Sequence, residues 1–161
     1  MSKKFNAEDF KKTLDGKSLE ELKKIEQKVI TECDTIDKEV TETNFDMPVE
    51  NYTEVAKAIK HFLNKQTVQW QYTLGMVAMY DFWKDECPKT IPYAQLDSVL
   101  RTIGNMQFTG YDEWAMVVAI NKYFEPLRAK YTEVTQRVYD AASKHQMVME
   151  ALGLVQPFEE Q

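Results

Sequence analysis

Bulky apolar residues recur at steps of three and four along most of this chain, and that spacing constrains its fold more than any other feature. Leu22, Ile25, Val29, Cys33, Ile36 and Val40 fall on one face of a helix, as do Leu127, Tyr131, Val134, Val138, Ala142, His145, Met149 and Leu152. At 3.6 residues per turn such positions stack into a single dry stripe, whereas a half-buried strand would alternate every second residue. The sequence therefore predicts an all-α protein.

Punctuation along the chain divides it into helices. Asn6 is a good N-cap with Asp9 three residues on, which marks a short helix over about 7–15 that ends at Gly16. Ser18-Leu19-Glu20-Glu21 reads as a capping box and starts a longer helix over about 19–43. Asn44 to Asn51, with Pro48 and no periodicity, reads as a loop. From Tyr52 no proline occurs before Pro88, so a second long helix is expected over about 52–86. Its stripe of Tyr52, Val55, Ile59, Leu63, Trp70, Leu74 and Val77 is expected to face the preceding helix as an antiparallel hairpin. Gly75 weakens this helix by about 1 kcal/mol relative to alanine unless a close helix crossing requires it.

After the break at Cys87-Pro88 a short helix is expected over about 92–103, with Pro92 in its first turn and Gly104 stopping it. A third long helix follows over about 111–152, with Asp112 and Glu113 in the first turn, a kink at Pro126 and a C-terminal cap at Gly153. Trp114, Met116, Val117, Val118, Ile120, Tyr123 and Phe124 surround its first half on nearly all sides, which predicts a buried helix. The expected architecture is an elongated antiparallel bundle of three long arms and two short helices, one domain over 1–161 around one core, with 154–161 as a tail.

Size and composition agree with that outline. A chain of 161 residues with 43% hydrophobic content can bury a core without disulfides or metals. Cys33 and Cys87 form no C-x-x-C, so a reducing, intracellular compartment is the simpler expectation. Cys33 lies on the apolar stripe and reads as a small core residue. The first residues carry charge in place of a signal-peptide apolar run, and export is not indicated. The apolar stretch from Val68 to Trp83 is interrupted by Gln69, Gln71 and Asp81, so no membrane span is expected.

Charge is uneven. Residues 1–30 hold eight lysines against six acids, and residues 31–56 hold one lysine against eight acids. Only the short N-terminal lysine set could displace phosphate counterions, which disfavours nucleic acid as a partner. Glu32, Asp34, Asp37 and Glu39 on the second helix form a candidate acidic surface for a basic protein.

Chemical motifs are missing where they would be diagnostic. Positions 58 and 142, three before His61 and His145, are both alanine, so no Glu-x-x-His pair exists for a di-iron bundle. Two histidines and two cysteines, all far apart, make no zinc pattern, and the five glycines never come closer than six residues. His145 sits on the core stripe and His61 on a polar face. No metal or cofactor is expected, and the expectation is of a protein that is not an enzyme.

An apolar surplus remains. Val68, Tyr72, Met76, Met79 and Trp83 fall on the side of the 52–86 helix opposite its main stripe; this side either packs internally on the apolar first half of the 111–152 helix or, together with Met147, supplies the candidate partner-binding residues. The functional expectation is a structural or adaptor subunit of a larger assembly, for which a virus particle is one setting, held by protein contacts or self-association. The alternatives are a small acidic regulator docking on a basic partner and a helical bundle that takes a small molecule between its helices.

Overall fold

The structure, a computed structural model, describes residues 4–65, 70–84 and 86–154. It is an all-α helical bundle with long arms and one small two-stranded ribbon. Its elements are α1 (Ala7–Leu14), α2 (Leu19–Glu42), β1 (Asn44–Asp46), α3 (Tyr52–Lys65), α4 (Trp70–Trp83), β2 (Thr90–Pro92), α5 (Tyr93–Gly104) and α6 (Gly110–Ala151). On α4 the side chains of Tyr72, Thr73, Met76, Ala78, Met79, Phe82 and Trp83 lie outside the described set. The chain forms two compact units, Met1–Val40 with Glu133–Gln161, and Thr41–Thr132, so α6 contributes residues to both. Among the described residues, buried side chains gather into two clusters.

In the first unit the helix boundaries are set by local hydrogen bonds that the sequence announces. The Asn6 side chain accepts from the Asp9 N–H at 3.1 Å and opens α1. Ser18 and Glu21 satisfy each other: the Ser18 N–H donates to the Glu21 carboxylate at 2.8 Å, and the Glu21 N–H donates to the Ser18 hydroxyl at 3.2 Å. At the other end Gly153 takes a positive φ of 72°, its N–H donates to the Glu150 carbonyl, and the Leu154 N–H donates to the Met149 carbonyl, both at 3.0 Å. These two bonds are the Schellman closure that a residue free to adopt the left-handed region makes cheap. Between the caps, α2 runs antiparallel to the C-terminal part of α6, as the pairs Glu32 with Lys144, Cys33 with Ala141 and Glu39 with Arg137 show. Leu14 of α1, Leu22 and Val29 of α2 and Val148 of α6 are buried together, each worth roughly 1.5–3 kcal/mol of transfer free energy if its leucine- or valine-sized side chain is fully covered.

The second unit departs further from the pattern. The stretch read as one helix over 52–86 is two helices that fold back on each other. The Lys60 ammonium sits 6.0 Å from the centre of the Tyr80 ring, whereas twenty residues of continuous helix would separate them by about 30 Å. Folding back lets α4 pack on both α3 and α5, covering α5 residues that a straight rod would leave bare, so tertiary burial overrides local helix preference. Val55, Ala58, Ile59 and Phe62 of α3 are buried in this unit's core with Leu96, Val99 and Ile103 of α5 and Ile120 and Phe124 of α6. Gly75 stands at the crossing of α4 and α5: a Cβ there would lie 2.9 Å from the Thr102 hydroxyl oxygen. That close approach is what the glycine permits.

Residues 44–51, expected as a loop, begin with β1, which pairs antiparallel with β2 in the register Asn44 with Pro92, Phe45 with Ile91 and Asp46 with Thr90. Phe45 and Ile91 are buried while their neighbours along β1 face water, so three residues alternate, too few for a periodicity to register. Pro92 ends β2 and precedes α5, one position earlier than its expected place in the first turn. It is tolerated because a two-stranded ribbon consists only of edges. Helix α6 stays helical through Pro126, whose side chain is exposed.

Candidate functional site

Two places in the second unit concentrate chemistry or exposed apolar area. The first is a carboxylate. Glu113, in the first turn of α6, is only 5% exposed. Its carboxylate accepts from His61 Nε2 at 2.7 Å, from the Lys65 ammonium and from the Thr109 N–H at 2.8 Å. His61 and Lys65 are four residues apart on α3 and so share one face of that helix. Lys65, His61 and the Thr109 amide hold the Glu113 carboxyl down to about 2, against the smaller opposing effect of burial. A carboxylate that stays ionised near neutrality and already accepts from three donors is badly matched to proton transfer there. It ties α3 to the start of α6.

The sequence places His61 on a polar, solvated face; in the structure it is hydrogen-bonded to Glu113, with its ring edge-on to Phe62. The signal was present in the sequence: Glu113 sits on the inward face of α6, in line with Met116, Ile120 and Phe124, and a carboxylate there needs a cation.

The second place is a surface. On α6, Tyr111, Trp114 and Val118 are 76%, 46% and 42% exposed, and the Tyr111 and Trp114 rings lie 5.6 Å apart. On α4, Trp70 and Leu74 are 85% and 81% exposed, with Val77 also exposed. Both observations correct the sequence reading. The first half of α6 was expected to be buried all round, and Trp70, Leu74 and Val77 were expected to face α2. Both helices carry apolar residues on two sides; on α4 the described positions Gly75 and Tyr80 are the packed ones. On α6 the covered side holds Ile120, Tyr123, Phe124 and Leu127.

Most of the expected partner-binding residues cannot be placed on either surface. Val68 lies outside the described residues, as do the side chains of Tyr72, Met76, Met79 and Trp83. Met147, read as facing out, is half-buried against the Leu14, Leu22, Val29 and Val148 cluster. Among the acidic candidates Glu32 and Glu39 engage cations of their own unit, Lys144 at 2.9 Å and Arg137 at 2.6 Å, while Asp34 and Asp37 are exposed. The acidic face is thus partly neutralised within the first unit. Phe5, Lys28, Glu32, Arg137 and Lys144 line a hollow of about 560 Å³ there, with both signs of charge on its walls.

Neither cysteine is set up as a nucleophile. The Cys33 thiol donates to the Ala141 carbonyl at 3.5 Å, and burial, then the charges of Asp37, Glu32 and Asp34, push its pKa up. Cys87 donates to the Pro48 carbonyl at 3.4 Å, which also accepts from the Tyr123 hydroxyl at 2.5 Å. Burial, with Cys87 beside it, holds the Tyr123 phenol above its ordinary range, so it remains a hydrogen-bond donor. Among the described residues no group of three or more histidine, cysteine or acidic side chains could hold a metal ion, and no helix is long and apolar enough to cross a membrane. No protein-family model, characterised protein or solved structure matches this chain.

Proposed function

We propose that this chain is a non-enzymatic structural or adaptor subunit that acts through protein–protein contacts in a larger assembly. The observation that carries the reading is the line of Tyr111, Trp114 and Val118 on the uncovered side of α6. Aromatic residues are enriched where proteins meet, and bulky apolar groups held in a row by a rigid helix keep an entropic cost of binding low. The outward row on α4 supplies a second surface of the same chemistry. Both cysteines are free thiols, which supports residence in a reducing compartment.

The test is purification of the tagged chain from its native source, beside Trp114→Lys and Trp70→Lys. Both tryptophans are exposed, so the substitutions should leave the helix content unchanged. The reading requires that co-purifying proteins, further copies of the chain included, be lost with at least one variant; an unchanged set with both would defeat it.

A further inference from the structure

The uncovered face of α6 changes character at Val118. On its N-terminal side stands a ridge, Tyr111 and Trp114. On its C-terminal side Val118, Asn121, Lys122, Glu125 and Arg128 line an open hollow of about 410 Å³, in which the Arg128 guanidinium donates to the Asn121 side-chain oxygen at 2.8 Å. At 100° per residue Tyr111, Trp114, Lys122 and Glu125 all fall within about 40° of Val118, so ridge and hollow share one side of the helix. On that side Tyr111 and Glu125 lie equally far from Val118, about 10 Å each way at 1.5 Å per residue, as do Trp114 and Lys122, about 6 Å each way; Arg128 lies beyond Glu125 and about 80° round the helix.

Complementary residues placed at equal distances either side of one position are what a two-fold axis converts into a closed, self-complementary interface. The chemistry matches across such an axis. Lys122, which meets Trp114 across that axis, is a cation suited to the negative face of an aromatic ring, and the Glu125 carboxylate, which meets Tyr111, is an acceptor suited to a tyrosine hydroxyl. A parallel pairing would instead set ridge on ridge and bring Lys122 against Lys122.

We propose that two copies of this chain pair antiparallel through this face of α6, Val118 meeting its counterpart and the Tyr111–Trp114 ridge of each copy lying against Lys122 and Glu125 of the other. The proposal rests on the protein-contact reading above and names the partner of that surface as a second copy.

Sedimentation equilibrium of the full chain, from low micromolar to several hundred micromolar, should show a reversible species of twice the 18.8 kDa chain mass. Trp114→Glu should raise its dissociation constant at least about tenfold with an unchanged far-ultraviolet spectrum. Under mild oxidation Val118→Cys should link to itself, whereas Tyr111→Cys, about 21 Å from its own counterpart in this register, should not. A single-copy mass at every concentration overturns the proposal, as does a dimer in which Val118→Cys stays unlinked or Tyr111→Cys links equally well. A single-copy mass combined with loss of co-purifying proteins in Trp114→Lys would leave the protein-contact reading standing, since a different partner would then occupy the face. A single-copy mass with co-purifying proteins unchanged in both tryptophan variants would remove both.

Discussion

The two units of this chain differ in how many faces their helices must commit. In Met1–Val40 with Glu133–Gln161 each helix has one apolar stripe, and the stripe, the caps and the polar remainder leave one arrangement in which α2 and the end of α6 cover each other. In Thr41–Thr132 the helices α4 and α6 are apolar on two sides, and the choice of which side to bury is made by neighbours far off in the chain. A single-faced helix specifies its own partner surface. A two-faced helix specifies only that one surface will be left over, and in this protein the leftover surfaces are the candidates for function.

Substitutions in the two units test this difference. Phe124→Ala empties a fully buried position of the second core and should lower unfolding free energy by about 3–5 kcal/mol in urea titration. A second loss needs no mutation. The Glu113 carboxyl is held at about 2 against an ordinary value of 4.5, so its stabilising contribution is complete above pH 4.5 and disappears as pH falls toward about 2. The urea midpoint should therefore drop over that interval, and Glu113→Gln should flatten the drop; an unaltered slope in the variant would remove the ion-pair account.

Gly75→Ala sets two terms against each other. Alanine gains about 1 kcal/mol of helix preference, but its Cβ would press on the Thr102 hydroxyl, which is held by its bond to the Ser98 carbonyl at 2.7 Å. Overpacking of this kind costs about 1–3 kcal/mol, so a net loss of stability is expected; a gain would mean that α4 and α5 are not in close approach. Ser18→Ala should cost about 1 kcal/mol by removing the cap of α2 in the first unit. Trp114→Lys should change stability least, by under about 0.5 kcal/mol, because the indole is already half in water. A loss of several kcal/mol there would show that the first half of α6 is enclosed after all.

Much of this fold was legible in the sequence, and where legibility failed the reasons are physical. The Asn6 cap, the Ser18–Glu21 box and the Gly153 closure are local hydrogen-bond devices, readable from residues three or four apart. Gly75 was readable as an anomaly whose only remedy is a close crossing, and Thr102 supplies it. The fold-back between α3 and α4 was invisible because no proline or glycine marks it. The β1–β2 ribbon was invisible because Phe45 and Ile91 are separated by forty-five intervening residues and each strand is three residues long. Of the surface, the sequence disclosed an apolar surplus on the second and third long helices but not its orientation. Burial is shared among α3, α5 and α6; Tyr111 and Trp114 face outward because the covered side of α6 is the opposite one, with Ile120, Phe124 and Leu127, and Trp70 and Leu74 of α4 are exposed as well.

The central claim is that the Tyr111, Trp114 and Val118 side of α6 is open in the isolated chain and closes when the chain meets protein. Hydroxyl-radical footprinting read by mass spectrometry at dilute and at high concentration measures it residue by residue. The account predicts rapid oxidation of Tyr111 and Trp114 in dilute protein, protection of both as concentration rises, and no change at buried Tyr123 and Phe124. Slow oxidation of Trp114 in the dilute chain, at the level of Phe124, would contradict it.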